Sequence, residues 1–202
     1  MKKKLPMIIG LIAVIAFSIF YGFTDKAHKI YDNNVNTAQY TDLGALPDGQ
    51  ELNQAFTSEE DVLDGFLIKC NPAGDYANSV VNIEVLDGDT REVLAKVSEP
   101  GTNIAPRKLH LFRLDTPLTG CKGKDYILKI TESGSTVGNG IDLYYQPHPE
   151  MTSGFTSNND AVPGCLVMKT ITTRFDAETF IIMFLSIMFI WGFMYFLYRL
   201  FK

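Results

Sequence analysis

Two uncharged apolar runs, residues 5–23 and 180–198, frame a long middle stretch in which apolar and polar residues interchange at short intervals. The second run, FIIMFLSIMFIWGFMYFLY, holds 19 residues without a charge, with Arg199 and Lys202 just beyond it. A helix of that length covers roughly 28 Å, close to the hydrocarbon core of a bilayer. It predicts a transmembrane helix, with Asp176 as its cap, Glu178 at the positive end of its dipole, and Trp191, Tyr195 and Tyr198 toward one interface. The first run also has 19 uncharged residues and follows Lys2-Lys3-Lys4. A cleaved signal peptide would have a shorter apolar core and small residues at its exit. Here the exit reads Ser18-Ile19-Phe20-Tyr21-Gly22-Phe23, which is bulky, so the run predicts an uncleaved signal anchor. Basic residues beside both runs predict a two-span protein with both termini cytoplasmic and residues 24–178 extracytoplasmic.

Between the runs the texture changes twice. Residues 24–50 are polar, with Asn33-Asn34 and Pro47-Asp48-Gly49 as turn material, and show no sustained period; they read as a tether. From residue 51 onward, eight short apolar segments predict strands at 51–57, 62–70, 79–86, 91–98, 108–114, 125–132, 140–146 and 165–173. Val81, Ile83 and Val85 alternate with Asn82 and Glu84. Tyr126, Leu128 and Ile130 alternate with Lys129 and Thr131, and Val93, Ala95 and Val97 with Glu92 and Lys96. Each set predicts a strand with one buried face. Asp87-Gly88 marks a hairpin between two such runs. No amphipathic helix of useful length interrupts them. Eight strands, each with one apolar face, predict an all-β fold: an antiparallel two-sheet β-sandwich flanked by one N-terminal and one C-terminal transmembrane helix. The chain then divides into a basic end (1–4), the signal anchor (5–23), the tether (24–50), the sandwich (51–173), a segment leading into and forming the second helix (174–198) and a second basic end (199–202). Residues 147–164 read as one long structureless loop, because Pro147, Pro149 and Pro163 argue against a strand there.

Charge sharpens this picture. All 23 acidic residues lie between Asp25 and Glu178, where only 13 Lys and Arg accompany them, a balance of −10. Such a surface repels phosphate backbones, and nucleic acid is excluded as a partner. Chemistry is sparse. His28, His110 and His148 form no His-x-x-x-His spacing and there is no Cys-x-x-Cys, so no metal site is predicted. Asp87-Gly88-Asp89-Thr90-Arg91-Glu92 begins like a calcium loop but lacks Gly at its sixth position and the later Glu, and reads as a plain turn. No Gly-x-Ser-x-Gly nucleophile motif is present. The chain reads as a non-enzyme without cofactors. Cys70, Cys121 and Cys165 leave one thiol unpaired whatever happens, and the three possible pairings stay open. Tyr144 and Tyr145 are adjacent, so one must face away from the core. Tyr144 shares its face with Asp142, and this pair is the candidate binding site: an aromatic plane and a carboxylate suited to a polyol, with the 147–164 loop able to close over it.

The order of segments resembles the jelly-roll, galactose-binding-like β-sandwiches of bacterial membrane proteins of surface-polysaccharide assembly. The resemblance rests on Gln54-Ala55-Phe56, Leu63-Asp64-Gly65-Phe66-Leu67-Ile68, residues 81–86, Lys124-Asp125-Tyr126-Ile127-Leu128-Lys129-Ile130 and residues 164–169. It implies a jelly-roll-like accessory module outside the membrane. The expected partners are the lipid bilayer and a surface polysaccharide or a larger membrane protein. The alternative is a small accessory subunit of a membrane-bound glycosyltransferase or transporter complex.

Overall fold

The computed structural model describes residues 5–32, 34–147 and 154–201. They form two compact units. One holds the chain up to Lys26 together with everything from Thr173; the other is Ala27–Thr172.

The first unit contains α1 (Leu5–Gly22) and α2 (Ala177–Leu200). Among the described residues α2 alone is long and apolar enough to cross a membrane; its 24 residues extend about 36 Å. The N-terminal run, expected to span over 5–23, forms the shorter α1, which stops at Gly22 because Phe23 already begins a strand. Asp176 caps α2 by accepting from the Glu178 and Thr179 amides at 3.0 and 3.3 Å, and it also binds the Lys26 ammonium. That ammonium, with the two amides, pulls the Asp176 carboxyl down to about 2. Gly10 of α1 lies against the Trp191 ring, where an added Cβ would sit 3.2 Å from ring carbon.

The second unit is built on two antiparallel sheets. The strands, of which β1 and β13 belong in part to the first unit, are β1 (Phe23–Lys29), β2 (Thr41–Asp42), β3 (Glu51–Thr57), β4 (Val62–Ala73), β5 (Val80–Asp87), β6 (Val93–Pro100) and β7 (Lys108–Thr119). They continue with β8 (Asp125–Ser133), β9 (Gly140–Pro147), β10 (Phe155–Ser157), β11 (Asp160–Ala161), β12 (Gly164–Leu166) and β13 (Met168–Phe175). One sheet runs β1-β13-β4-β9-β12, with β7 also on β4 and β2 also on β9; the other runs β11-β10-β3-β8-β5-β6. A single core lies between the sheets. Leu52, Phe56, Ile83, Leu128 and Ile130 come from one, and Phe66, Ile68, Phe112 and Leu143 from the other. Phe56 and Phe66 meet edge to face across the gap, with centroids 5.6 Å apart.

Seven of the eight predicted segments each form one strand, and the eighth, 165–173, is split at Val167 into β12 on β9 and β13 on β4. The alternation that predicted β5 is its burial pattern. β6 departs from it. Ala95 and Val97 are buried, but Val93 is 47% exposed, because the β5–β6 pairing shifts register beside Leu86 and turns Val93 off the core face.

Residues 24–50 are not a tether. They carry β1 and β2, and Leu46 joins the core. What holds them is polar: the Gln146 amide donates to the Asp32 carbonyl and accepts from its N–H, both at 3.0 Å. Leu43 N–H donates to the Leu143 carbonyl at 2.8 Å. An amide side chain that completes a backbone pairing leaves no hydrophobic period to read. The 147–164 loop is likewise corrected in its described part. β10 and β11 form a hairpin whose two turn residues, Asn158 and Asn159, both have positive φ, 51° and 69°, as a primed two-residue turn requires. Pro147 and Pro163 flank this hairpin instead of interrupting it; residues 148–153, Pro149 among them, lie outside the described segments.

Candidate functional site

Strand β9 lies across the first sheet with Ile141 and Leu143 in the core, so Asp142 and Tyr144 face outward and are half-buried. Tyr145 turns inward against Phe155, centroids 5.9 Å apart. Asp142 pairs across the sheet with Asn71 of β4, and Tyr144 with Asp42 of β2. The two candidate residues therefore share one outward face, in company the sequence did not suggest.

That company is aromatic and charged. The Lys69 ammonium lies over two rings, 5.2 Å from the centroid of Tyr40 and 5.4 Å from that of Tyr144. Tyr31 meets Tyr40 edge to face at 6.0 Å. Lys69 thus occupies one side of the Tyr144 ring, so the open stacking platform expected from the sequence is one flank of a Tyr–Lys–Tyr stack. A cation held over ring faces stabilises such a cluster by about 0.5–1 kcal/mol where water reaches it.

Burial and the nearby Asp42 carboxylate push the Asp142 carboxyl above the usual carboxylate range. Burial, then Asp42 and Asp142, raise the Tyr144 phenol, opposed by Arg107. Burial also raises Tyr31 and Tyr40. The three phenols stay protonated at neutral pH and offer O–H donors beside two carboxylates and an ammonium. This surface can exchange hydrogen bonds with hydroxyl groups and stack on C–H faces.

Other chemistry considered from sequence takes structural roles. His110 is half-buried, its Nε2 sealed without a partner and its ring edge-on to Phe112 at 4.9 Å; burial lowers its pKa. His28 lies between Glu59 and Glu60, with Nδ1 2.7 Å from one carboxylate and Nε2 3.0 Å from the other. His148 falls outside the described residues. Among the described residues no cluster of His, Cys, Asp or Glu is arranged to hold a metal ion. The Asp87 carboxylate accepts from the Asp89 and Thr90 amides and the Thr90 hydroxyl, so it serves its own turn. All three cysteines are free and buried. Burial pushes Cys70 up to about 12 and Cys165 to about 11, far from a reactive thiolate.

Sequence reasoning missed Tyr31, Tyr40, Asp42 and Lys69. Two tyrosines in an otherwise polar stretch were the available signal for the first pair. Nothing in the sequence marks Lys69 apart from its outward place in β4.

No protein-family model matches the chain and no curated protein matches it, so its reading rests on this geometry.

Proposed function

We propose that this chain is a non-enzymatic, membrane-anchored module whose extracytoplasmic β domain, a jelly-roll-like sandwich, binds a cell-surface glycan. The observation that carries the reading is the outward cluster of Tyr31, Tyr40 and Tyr144 with Lys69, Asp42 and Asp142. It pairs ring faces with both donors and acceptors at a half-buried surface, the combination that polyols use. Tyr144→Ala is expected to weaken glycan binding about tenfold or more, as the loss of one stacking partner and one hydroxyl implies. A glycan array followed by NMR titration measures it. Unchanged binding by a variant with an intact fold removes Tyr144 from the site.

The anchoring has two helices in this reading, α1 and α2, with both termini cytoplasmic and residues 24–178 outside. The length of α2 and the basic residues beyond each apolar run support it. Protease added to spheroplasts is expected to remove the middle of the chain and spare the ends. Protection of the middle until lysis overturns the topology.

A second reading, an accessory subunit of a larger membrane protein, draws on the apolar surface of α2, where Phe189 is 74% and Tyr195 67% exposed. Purification in mild detergent separates the readings, since a subunit retains a stoichiometric partner.

A further inference from the structure

The outer face of the other sheet carries a groove of about 410 Å³, far from β9 in the strand order and untouched by the cluster around Tyr144. The volume lies within the range of small-molecule clefts, about 300–1,000 Å³. Its floor is Ala55 of β3 and Ile127 of β8, which pair across the sheet and face away from the core. Ile127 is nonetheless only 6% exposed, because the groove walls cover it.

The walls approach as backbone. The Gly154 carbonyl accepts from the Ala55 amide at 3.0 Å, and a Cβ on Gly154 would come within 2.7 Å of the Ala55 methyl. Opposite it, the Gly88 amide donates to the Asp125 carbonyl at 3.0 Å, and a Cβ there would come within 2.6 Å of that oxygen. The β5–β6 turn is therefore clamped onto β8, and the Asp87 carboxylate fixes its interior by accepting from Asp89 and Thr90.

This rigid turn presents Arg91 to the groove with a left-handed backbone, φ 62°. Glycine or asparagine would adopt that conformation at lower cost, so a long side chain there is an outlier that the turn's hydrogen bonds sustain. Among the described residues no carboxylate pairs with the Arg91 guanidinium. Asp125 also lines the groove, and its carboxylate accepts from the Thr57 hydroxyl.

An unpaired guanidinium, a carboxylate already bonded to a hydroxyl, and an apolar floor make a selective set. The guanidinium takes a carboxylate in two parallel hydrogen bonds, the Thr57–Asp125 pair exchanges bonds with hydroxyls, and Ala55 with Ile127 supports a C–H face. A phosphate is a poor fit, since one arginine beside Asp125 does not balance a dianion in a domain with a charge near −10. We propose that this groove binds a uronic-acid residue of a saccharide, with Arg91 on the sugar carboxylate and Asp125 and Thr57 on its hydroxyls. The proposal rests on the glycan reading above and adds a second, anionic subsite to it.

The test uses the full chain in nanodiscs and two probes: a glucuronic-acid disaccharide and the same disaccharide with its carboxyl reduced to the alcohol. Saturation-transfer NMR is expected to show binding of the first, with the reduced probe at least tenfold weaker. Arg91→Gln is expected to lose the acid probe at least tenfold, Arg91→Lys to recover it in part, and Tyr144→Ala to retain it. Because Arg91 lies in an exposed turn, unfolding curves of both Arg91 variants should match wild type. Equal binding of the two probes, unaltered binding by Arg91→Gln, or no binding of the acid probe overturns the groove assignment. If Tyr144→Ala alone abolishes saccharide binding, the groove assignment falls and the glycan reading stands. If no saccharide of the array binds, both fall.

Discussion

Glu132→Ala is expected to destabilise the β domain by about 3 kcal/mol, the cost of leaving two buried N–H groups without an acceptor. Glu132 is 4% exposed at the end of β8. Its carboxylate accepts from Leu46 N–H at 3.2 Å and from Ile141 N–H at 2.8 Å, and the Ser79 hydroxyl, which donates to the Tyr76 carbonyl, lies beside it. One side chain thus joins the 24–50 segment, the start of β9 and the loop before β5. Gly140 is part of the same arrangement: a Cβ there would come within 2.4 Å of a Glu132 oxygen. Urea unfolding of the full chain, followed by its β-sheet circular dichroism, measures the loss. A change below about 1 kcal/mol would mean that water replaces the carboxylate.

Glu132 also predicts a pH dependence. Burial raises its pKa above the ordinary carboxylate value and outweighs the neighbouring polar groups that lower it, the Ile141 and Leu46 amides first. The folded state therefore holds this proton more tightly than the unfolded chain does. Its contribution is fully present below the ordinary value of about 4.3 and is lost as pH rises through the raised one. Glu132→Gln has no such titration. The stability advantage of wild type over Glu132→Gln should shrink as pH rises above the ordinary carboxylate value, and a gap that widens instead contradicts the raised pKa.

Phe66→Ala is expected to cost about 3–5 kcal/mol, the range for truncating a buried phenylalanine. The ring is fully buried, and its edge contact with Phe56 continues to Tyr126, whose centroid is 5.7 Å from that of Phe56. The cavity would open where both sheets meet. Gly65 limits relaxation, because a Cβ at that position would already fall 2.3 Å from the Phe112 carbonyl, so β4 and β7 are in backbone contact. Phe66→Leu should lose much less, since most of the volume stays. Equal losses for the two variants would show that the ring edge, not the filled volume, sets the cost.

The elements that sequence made legible share one property: their side chains carry a period. β5 buries every second residue over Val81–Val85 and β8 does so from Leu128 onward, and their apolar residues announce it. The α2 helix is legible for a simpler reason, a long run without charge. Asp142 and Tyr144 could be placed on one face because strand alternation needs no knowledge of neighbours. The Asn158-Asn159 turn was legible in principle, since two residues that tolerate positive φ lie between short polar strands. Three nearby prolines outweighed that signal.

The sequence alone determined the local periods: which residues alternate, which run is apolar throughout, and where charge is excluded. Only the tertiary structure decided which polar groups complete distant backbones. Gln54 shows the difference. It sits at a core position of β3, between Leu52 and Phe56, and its carbonyl accepts from Leu166 N–H at 2.9 Å on the other sheet. Gln146 and Glu132 do the same for Asp32, Leu46 and Ile141. These bonds join residues 112, 114 and 86 positions apart and, in the case of Ile141, 9 apart. A hydrogen bond is satisfied by proximity and direction, not by sequence spacing, so a buried amide or carboxylate looks alone in the sequence until the fold brings its partner. The Lys69 stack forms in the same way, from a segment with no period of its own laid across the outer face of β4 and β9.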